Sequence, residues 1–488
     1  MANLKSLAKE TAIYGLSSIV GRFLNYLLVP LYTAKISAAS GGYGIITNIY
    51  SYVALLLVIL TFGMETTFFR YVNKENSNPN KVYSTTLIAV GSVGLIFVGM
   101  VLCLLNPISE WMNYGSTPQY VAAMAVCVAI DAFQCIPFAY LRYQKRAIKF
   151  AAIKMAFILS NILLNLAYFV LLPWINPNAE APDVGFVFYI NLFCTALTTL
   201  LFWKELTGIQ WTFDKDLFKR MLSYAWPILV LGIAGILNQT ADKILFPYLY
   251  HDGNASEQLG IYGAASKIAM IMVMITQAFR YAYEPFVFGK AKDKDNRTTY
   301  AAAMKYFIIF TLLAYLVVVG YLDIIKHIIG RDYWSGLKVV PIVMAAEIMM
   351  GIYFNLSFWY KLIDKTIWGA WFSGIGCFVL ILINVIFVPQ MGYMACAWAG
   401  VAGYGTAMVL SYVIGQKKYP INYPIKSISA YLGIAALFTA IMLWLPGKLS
   451  DGLRLCTNTL LILLFIGHIV YHDFPVGQLP IIGKYFRK

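Results

Sequence analysis

Charge is what this chain has least of: only 12% of its 488 residues are Asp, Glu, Lys or Arg. Soluble globular chains carry about 25%, so a fold with an ordinary solvated surface is excluded. Cysteine is also scarce. The seven cysteines (103, 127, 135, 194, 377, 396 and 456) show no CxxC spacing and read as small apolar packing residues. Of the four histidines, His468 and His472 stand one helical turn apart. Asp473 is the one further ligand type beside them, so the pair reads as interfacial rather than metal-binding. No P-loop is present, so an ATP-driven pump would need a partner, and no cofactor is expected. The first apolar segment has no small-residue cleavage site, is long and holds Arg22, so it reads as a retained helix rather than a signal peptide.

Apolar residues make up 60% of the chain. Runs of about 20 recur along its length, each long enough for a hydrocarbon core of roughly 30 Å. They predict an all-α polytopic membrane protein with about fourteen transmembrane helices. The expected spans are 11–33, 43–69, 83–105, 119–141, 149–173, 184–203, 221–249, 259–284, 300–324, 339–360, 366–389, 391–415, 427–446 and 453–472. The formal net charge of +15 invites a nucleic-acid reading, but its placement argues otherwise. With the N-terminus on the cytoplasmic side, Lys and Arg concentrate in alternate loops, as in the run from Arg142 to Lys154. The opposite side keeps Lys35, Lys326, Arg331, Lys338, Lys448 and Arg454. This is the positive-inside pattern, and it puts both termini in the cytoplasm of an inner-membrane protein. No nucleic-acid partner is expected.

The chain also resembles itself at half length. Tyr43-Gly44 aligns with Tyr262-Gly263 without a gap through the second and eighth helices, so that Phe62 meets Tyr281, Glu65 meets Glu284 and Phe69 meets Phe288. Two residues out of that register, Gly15, Leu28 and Pro30 meet Gly232, Leu245 and Pro247. An even number of helices separates the pairs, so the repeats run parallel, as in transporters with an axis along the membrane normal. The expected lobes are 1–210 and 211–416, six helices each around a central cavity. Residues 417–488 add two further helices and a cytoplasmic tail.

Ionisable side chains at membrane depth cost roughly 2.5–3.5 kcal/mol on insertion scales and are functional candidates by default. Arg22 lies near the middle of the first helix. Gly15, Ser18, Arg22 and Asn25 share one face, which turns the guanidinium toward the bundle. Helix seven carries Asn238, Asp242 and Lys243; helix eight carries Lys267, then Arg280 and Glu284 one turn apart. Arg22, Asn25, Lys243, Lys267 and Arg280 are thus the expected substrate-binding residues, a cationic path suited to an anionic head group. Lys243 could instead pair with Asp242, and Arg280 with Glu284. Glu65, Asp131, Asp242, Glu284 and Glu347 are the candidates for coupling to H⁺ or Na⁺, or for balancing a cation. Asp131 shares its face with Cys127 and Gln134.

The segments GLSSIVGRFLNYLLVPLYT, YGIITNIYSY…FGMETTFFRY, RMLSYAWPILV…NQTADKILF and LGIYGAASKIA…YAYEPF resemble the polysaccharide-transport flippases of the multidrug/oligosaccharidyl-lipid/polysaccharide exporter superfamily. The resemblance implies two six-helix lobes in a V and transport without enzymatic turnover. Its implied partners are an undecaprenyl-pyrophosphate-linked oligosaccharide, membrane lipids and polysaccharide assembly proteins. It also implies that Arg22 stands where related lipid flippases place a cavity arginine. Whether Lys267 or Arg280 matches their helix-eight cation stays open. Two rivals remain. A cation-coupled multidrug exporter of the same fold would want acidic residues where this chain has Arg22. A membrane glycosyltransferase or polymerase would want a sizeable acidic outer loop, which the short ISAASGG and PWINPNAEAPD connections do not supply.

Overall fold

A computed structural model describes residues 24, 26–74, 78–176, 182–289, 296–363, 365–444 and 448–473, without the side chains of 281, 282, 284–286, 288, 289 and 296. All regular structure among these residues is helical. After a short segment α1 (Leu28–Lys35) come α2 (Gly42–Val72), α3 (Pro79–Cys103), α4 (Pro118–Tyr143) and α5 (Ala147–Ile175). Next are α6 (Gly185–Leu200) and α7 (Lys215–Leu249), then α8 (Ala255–Gly289) and α9 (Asn296–Gly320). They are followed by α10 (Arg331–Leu362), α11 (Ile367–Met391), α12 (Tyr393–Lys418), α13 (Ile425–Trp444) and α14 (Asp451–His472). Twelve of these are long and apolar enough to cross a membrane. The sixteen-residue α6 is an apolar helix too short for that class, and α1 is the end of the first expected span. The protein is a multi-pass membrane protein, and the expected helices from the second onward recur in order; most of the first, 11–33, lies outside the described residues.

Why these segments are helices is legible locally. Asn78 caps α3 by accepting from the N–H groups of Asn80 and Lys81, and Pro79 takes the first helical position, where no N–H is needed. Asp214 caps α7, accepting from Leu217 N–H at 2.9 Å and from Lys81 Nζ at 2.8 Å. Those two contacts, the backbone one first, hold its carboxyl below the usual range. Outward faces carry Leu95, Ile96, Leu163, Phe378 and Leu464. Such exposure suits a surface solvated by lipid chains.

The chain forms two compact units. Unit 1 holds residues up to Ala264 together with Ile329–Tyr333 and Leu380–Cys396. Its centre is α4, whose most apolar stretch is 67% buried against 33% for α3 and 22% for α5. Phe68, Tyr83, Val90, Val128 and Ile136 form its core, and Tyr83 stacks on Tyr140 with ring centroids 4.0 Å apart. Where α2 crosses the start of α8 the backbones nearly touch. A Cβ on Gly44 would lie 1.8 Å from Ser256 O, and one on Gly263 2.5 Å from Thr47 Oγ1. The two Tyr-Gly pairs that align in sequence therefore both lie at this crossing, each glycine packed against the other helix.

Helix α2 is broken. Phe62 (φ 34°) and Gly63 (φ 72°) both adopt left-handed backbone, a conformation that costs a non-glycine residue roughly 1–2 kcal/mol. The helix restarts at Met64, and Thr67 N–H reaches Gly63 O at 3.1 Å.

Unit 2 comprises Ala265–Ile328, Trp334–Val379 and the residues from Ala397 onward. Here α14 is fastened to α9 and its flanks at both ends. Arg454 bonds Asp323 at 2.6 Å and Asp451 at 3.0 Å. At the other end Asp473 receives Lys305 and, at 2.5 Å, the Tyr431 hydroxyl. Asn458 donates to Gly320 O at 2.8 Å between them.

Candidate functional site

Arg22 and Asn25 lie outside the described residues, as does the side chain of Glu284. The remaining candidates fall into separate clusters, three of them in unit 1.

The first cluster gathers α2, α7 and α8. Lys243 Nζ sits 3.0 Å from both carboxylate oxygens of Asp242 and 3.0 Å from Gln239 O. Asp242 is buried and also receives the Tyr262 hydroxyl at 2.7 Å. Asn48 of α2 donates to Lys243 O at 2.8 Å, while Tyr114 donates to Asn48 Oδ1 at 2.8 Å. Lys243 is thus a compensated charge, the pairing that its neighbour in sequence allowed. Such a pair holds its geometry because either partner alone would be a buried, uncompensated ion.

The second cluster lies just beyond the break in α2. Glu65 is in the first turn of the restarted helix, where a carboxylate meets the positive end of the helix dipole. It pairs with Arg142 of α4 and accepts from the Cys135 thiol at 3.0 Å. The guanidinium carbon stands 4.9 Å from the Phe69 ring. Both partners are partly open, with side-chain exposures of 33% for Arg142 and 39% for Glu65.

Asp131 forms the third. The Thr195 hydroxyl reaches it at 3.3 Å and the Cys127 thiol lies 4.0 Å away. Gln134 turns aside to Thr195 O and Thr199 Oγ1 at 2.7 and 2.8 Å. Lys154 of α5 rests on the Phe138 ring at 4.3 Å. Among the described residues Asp131 is therefore hydrogen-bonded by a hydroxyl and a thiol, with Lys154 near enough to act on it through its charge, whereas Glu65 and Asp242 each form a direct ion pair.

In unit 2, Lys267 and Glu347 are half-buried and Arg280 is exposed, its guanidinium 5.1 Å from the Phe354 ring. No group of three or more His, Cys, Asp or Glu side chains among the described residues is arranged to hold a metal ion. The His468 and His472 rings lie 4.5 Å apart without further ligands of that kind.

Two participants escaped the sequence reading. Arg142 follows a long apolar run and reads as one more loop cation, yet it reaches back to α2. Glu205 follows α6, and the sequence reading did not single it out. Its side chain is only 2% exposed, with Lys149 at 2.6 Å and Arg146 at 3.4 Å. The one local signal for either was an excess of cations in 142–154 with no acid among them.

A bundle of this kind, apolar helices long enough to cross a membrane with charge pairs at their crossings, is a polytopic helical membrane protein. The family described as "Polysaccharide biosynthesis protein" matches residues 40–340. The chain belongs to that family. Its relatives include a membrane protein of Haemophilus influenzae, 21% identical over 59% of this chain and 67% of that one. A protein of the Lsg locus of the same organism is 20% identical over 73% of this chain and 86% of its own length. Among solved structures, the fold matches the inward closed conformation of the lipid II flippase MurJ with a TM-score of 0.71 and 14% identity, over 93% of this chain and 98% of that one. It matches an inward-facing MATE multidrug resistance transporter of the MOP superfamily with a TM-score of 0.64 and 15% identity, over 83% and 94%.

Proposed function

We propose that the protein is a flippase that carries an undecaprenyl-pyrophosphate-linked oligosaccharide across the cytoplasmic membrane for surface-polysaccharide biosynthesis. The observation that carries this reading is the polysaccharide-biosynthesis family match over residues 40–340. The fold shared with a lipid II flippase supports it. In this reading the lobes 1–210 and 211–416 alternate access around the lipid carrier's pyrophosphate, residues 417–488 add two helices, and both termini face the cytoplasm. The protein makes and breaks no covalent bond. Arg22, Asn25, Lys267 and Arg280 receive the head group, because an unpaired pyrophosphate cannot cross hydrocarbon; Lys243 could join them only by exchanging Asp242 for the pyrophosphate. Coupling to H⁺ or Na⁺ falls to Glu65, Asp131, Asp242, Glu284 or Glu347. Of the three in unit 1, Asp131 is best placed, since Glu65 and Asp242 are held in direct ion pairs while Lys154 acts on Asp131 without one.

Arg22 gives the direct test. In vesicles containing the purified protein and a fluorescent undecaprenyl-pyrophosphate oligosaccharide, Arg22→Ala is expected to abolish inner-to-outer movement at normal protein abundance. Arg22→Lys is expected to retain part of it, since a point charge attracts phosphate without the bidentate fork. Full activity of Arg22→Ala at normal abundance sinks the binding role. The fold shared with MATE transporters keeps a second reading, a cation-coupled multidrug exporter. Ethidium transport without movement of the lipid-linked sugar would select it.

A further inference from the structure

We propose that Lys154, on a partly open face between α4 and α5, is a further head-group residue that binds the pyrophosphate of a lipid carrier. The proposal rests on the flippase reading and adds to it a cation that the loop-charge pattern concealed.

The face follows from spacing. Asp131, Cys135, Phe138 and Arg142 stand at steps of four, three and four along α4, so they share one side of the helix. Helix α4 is largely buried, yet Asp131, Cys135 and Arg142 are each only half-buried. Lys154 of α5 enters this side. It too is half-buried, and its Nζ rests 4.3 Å from the centre of the Phe138 ring. It lies seven residues inside α5, which begins at Ala147, and so about 10 Å along the helix from that end. A cation in a surface loop needs no counter-ion, but a charge at this depth is costly unless something answers it.

What answers it is incomplete. Arg142 has Glu65, Lys243 has Asp242 and Lys149 has Glu205. No carboxylate among the described residues stands within ion-pair distance of Lys154. Asp131 acts on it through charge alone, its oxygens being turned to the Thr195 hydroxyl and the Cys127 thiol. The Phe138 ring attracts an ammonium but offers its N–H groups no acceptor of the carboxylate kind. Lys154 can therefore give its donors to an anion without breaking an ion pair, whereas Lys243 and Arg142 must each give up a carboxylate first. Its flexible four-carbon stem can swing between Asp131 and an arriving phosphate. A pyrophosphate supplies what the site lacks, concentrated negative charge with several acceptor oxygens.

The test is equilibrium binding of farnesyl pyrophosphate to the full-length protein in detergent, with farnesol as the uncharged control. The parent is expected to bind the pyrophosphate more tightly than the alcohol. Lys154→Gln should weaken farnesyl pyrophosphate about tenfold, the size of one charge-assisted hydrogen bond, and leave farnesol unchanged. Lys154→Arg, which keeps the charge, should stay within about threefold of the parent. Asp131→Asn should bind about threefold tighter, because a carboxylate competes for the ammonium and repels an anion. If Lys154→Gln lowers abundance by leaving Asp131 without its cation, the double variant with Asp131→Asn removes both charges. It should bind about tenfold more weakly than Asp131→Asn alone. Undiminished binding of farnesyl pyrophosphate by Lys154→Gln or by the double variant overturns the proposal. So does an equal loss for farnesol, which marks a packing role, or weaker binding by Asp131→Asn. Inorganic pyrophosphate or phosphatidylglycerol that displaces the probe at equal concentration overturns it in favour of a free anion or an ordinary anionic lipid. A parent that does not distinguish farnesyl pyrophosphate from farnesol takes down the flippase reading, and this proposal with it.

Discussion

Helices α2 and α8 align residue for residue from Tyr43-Gly44 on Tyr262-Gly263, yet they run differently. One breaks at Phe62-Gly63; the other continues as a single helix from Ala255 to Gly289 through the matching Tyr281-Ala282. The aromatic residue is kept and the glycine is not. Alanine has a Cβ that opposes left-handed backbone and is the best helix former. The difference teaches that a repeat can preserve its pattern of apolar residues, and even its acid at 65 and 284, while a glycine in one copy permits a break that alanine in the other disfavours.

The comparison can be broken most severely at the crossing. Gly44→Ala drives a Cβ into the Ser256 carbonyl, a backbone atom that cannot swing away. It should cost about 3 kcal/mol and reduce membrane abundance, as judged by quantitative immunoblotting. The matched Gly263→Ala meets the Thr47 side chain, which can rotate, so a loss of about 1 kcal/mol is expected. Equal losses would mean that the two Tyr-Gly pairs do not differ in packing. Next comes Gly63→Ala, for which the left-handed backbone predicts a loss of about 1–2 kcal/mol, read as a lower midpoint in thermal unfolding of detergent-solubilised protein. The converse change sharpens the contrast. Ala282→Gly should cost about 1 kcal/mol, the ordinary penalty of glycine inside a helix, and should not create a break by itself. A midpoint raised by Gly63→Ala would show that Phe62–Gly63 is an ordinary flaw rather than a conformation the surroundings impose.

Much of the fold is written in runs of apolar residues. Span 119–141 became Pro118–Tyr143, and the closely spaced eleventh and twelfth spans separate at one residue, Gly392. Apolar length is a local property, so it survives in the sequence. The break in α2 is not local: FGM inside an apolar run reads as helix, and it is the left-handed backbone at 63, together with the closeness of Ala225 and Ile228 of α7, that disfavours a side chain there. The site residues divide likewise. Asp242 and Lys243 are neighbours in the chain, so their pairing was among the alternatives from the start. Glu65 with Arg142 and Glu205 with Lys149 join residues 77 and 56 positions apart, and composition carries no trace of which acid meets which base.

The fastening of α14 bears on how the protein is made. Lys305 precedes Asp473 by 168 residues, and Asp323 likewise precedes Arg454, so α9 leaves the ribosome long before either partner exists. Asp323 has a local partner in Lys326 at 2.8 Å, whereas Lys305 is joined to Asp473 just past α14. Insertion of α14 therefore closes the end of α9 that local pairing leaves open, so a chain interrupted before residue 451 is expected at lower membrane abundance.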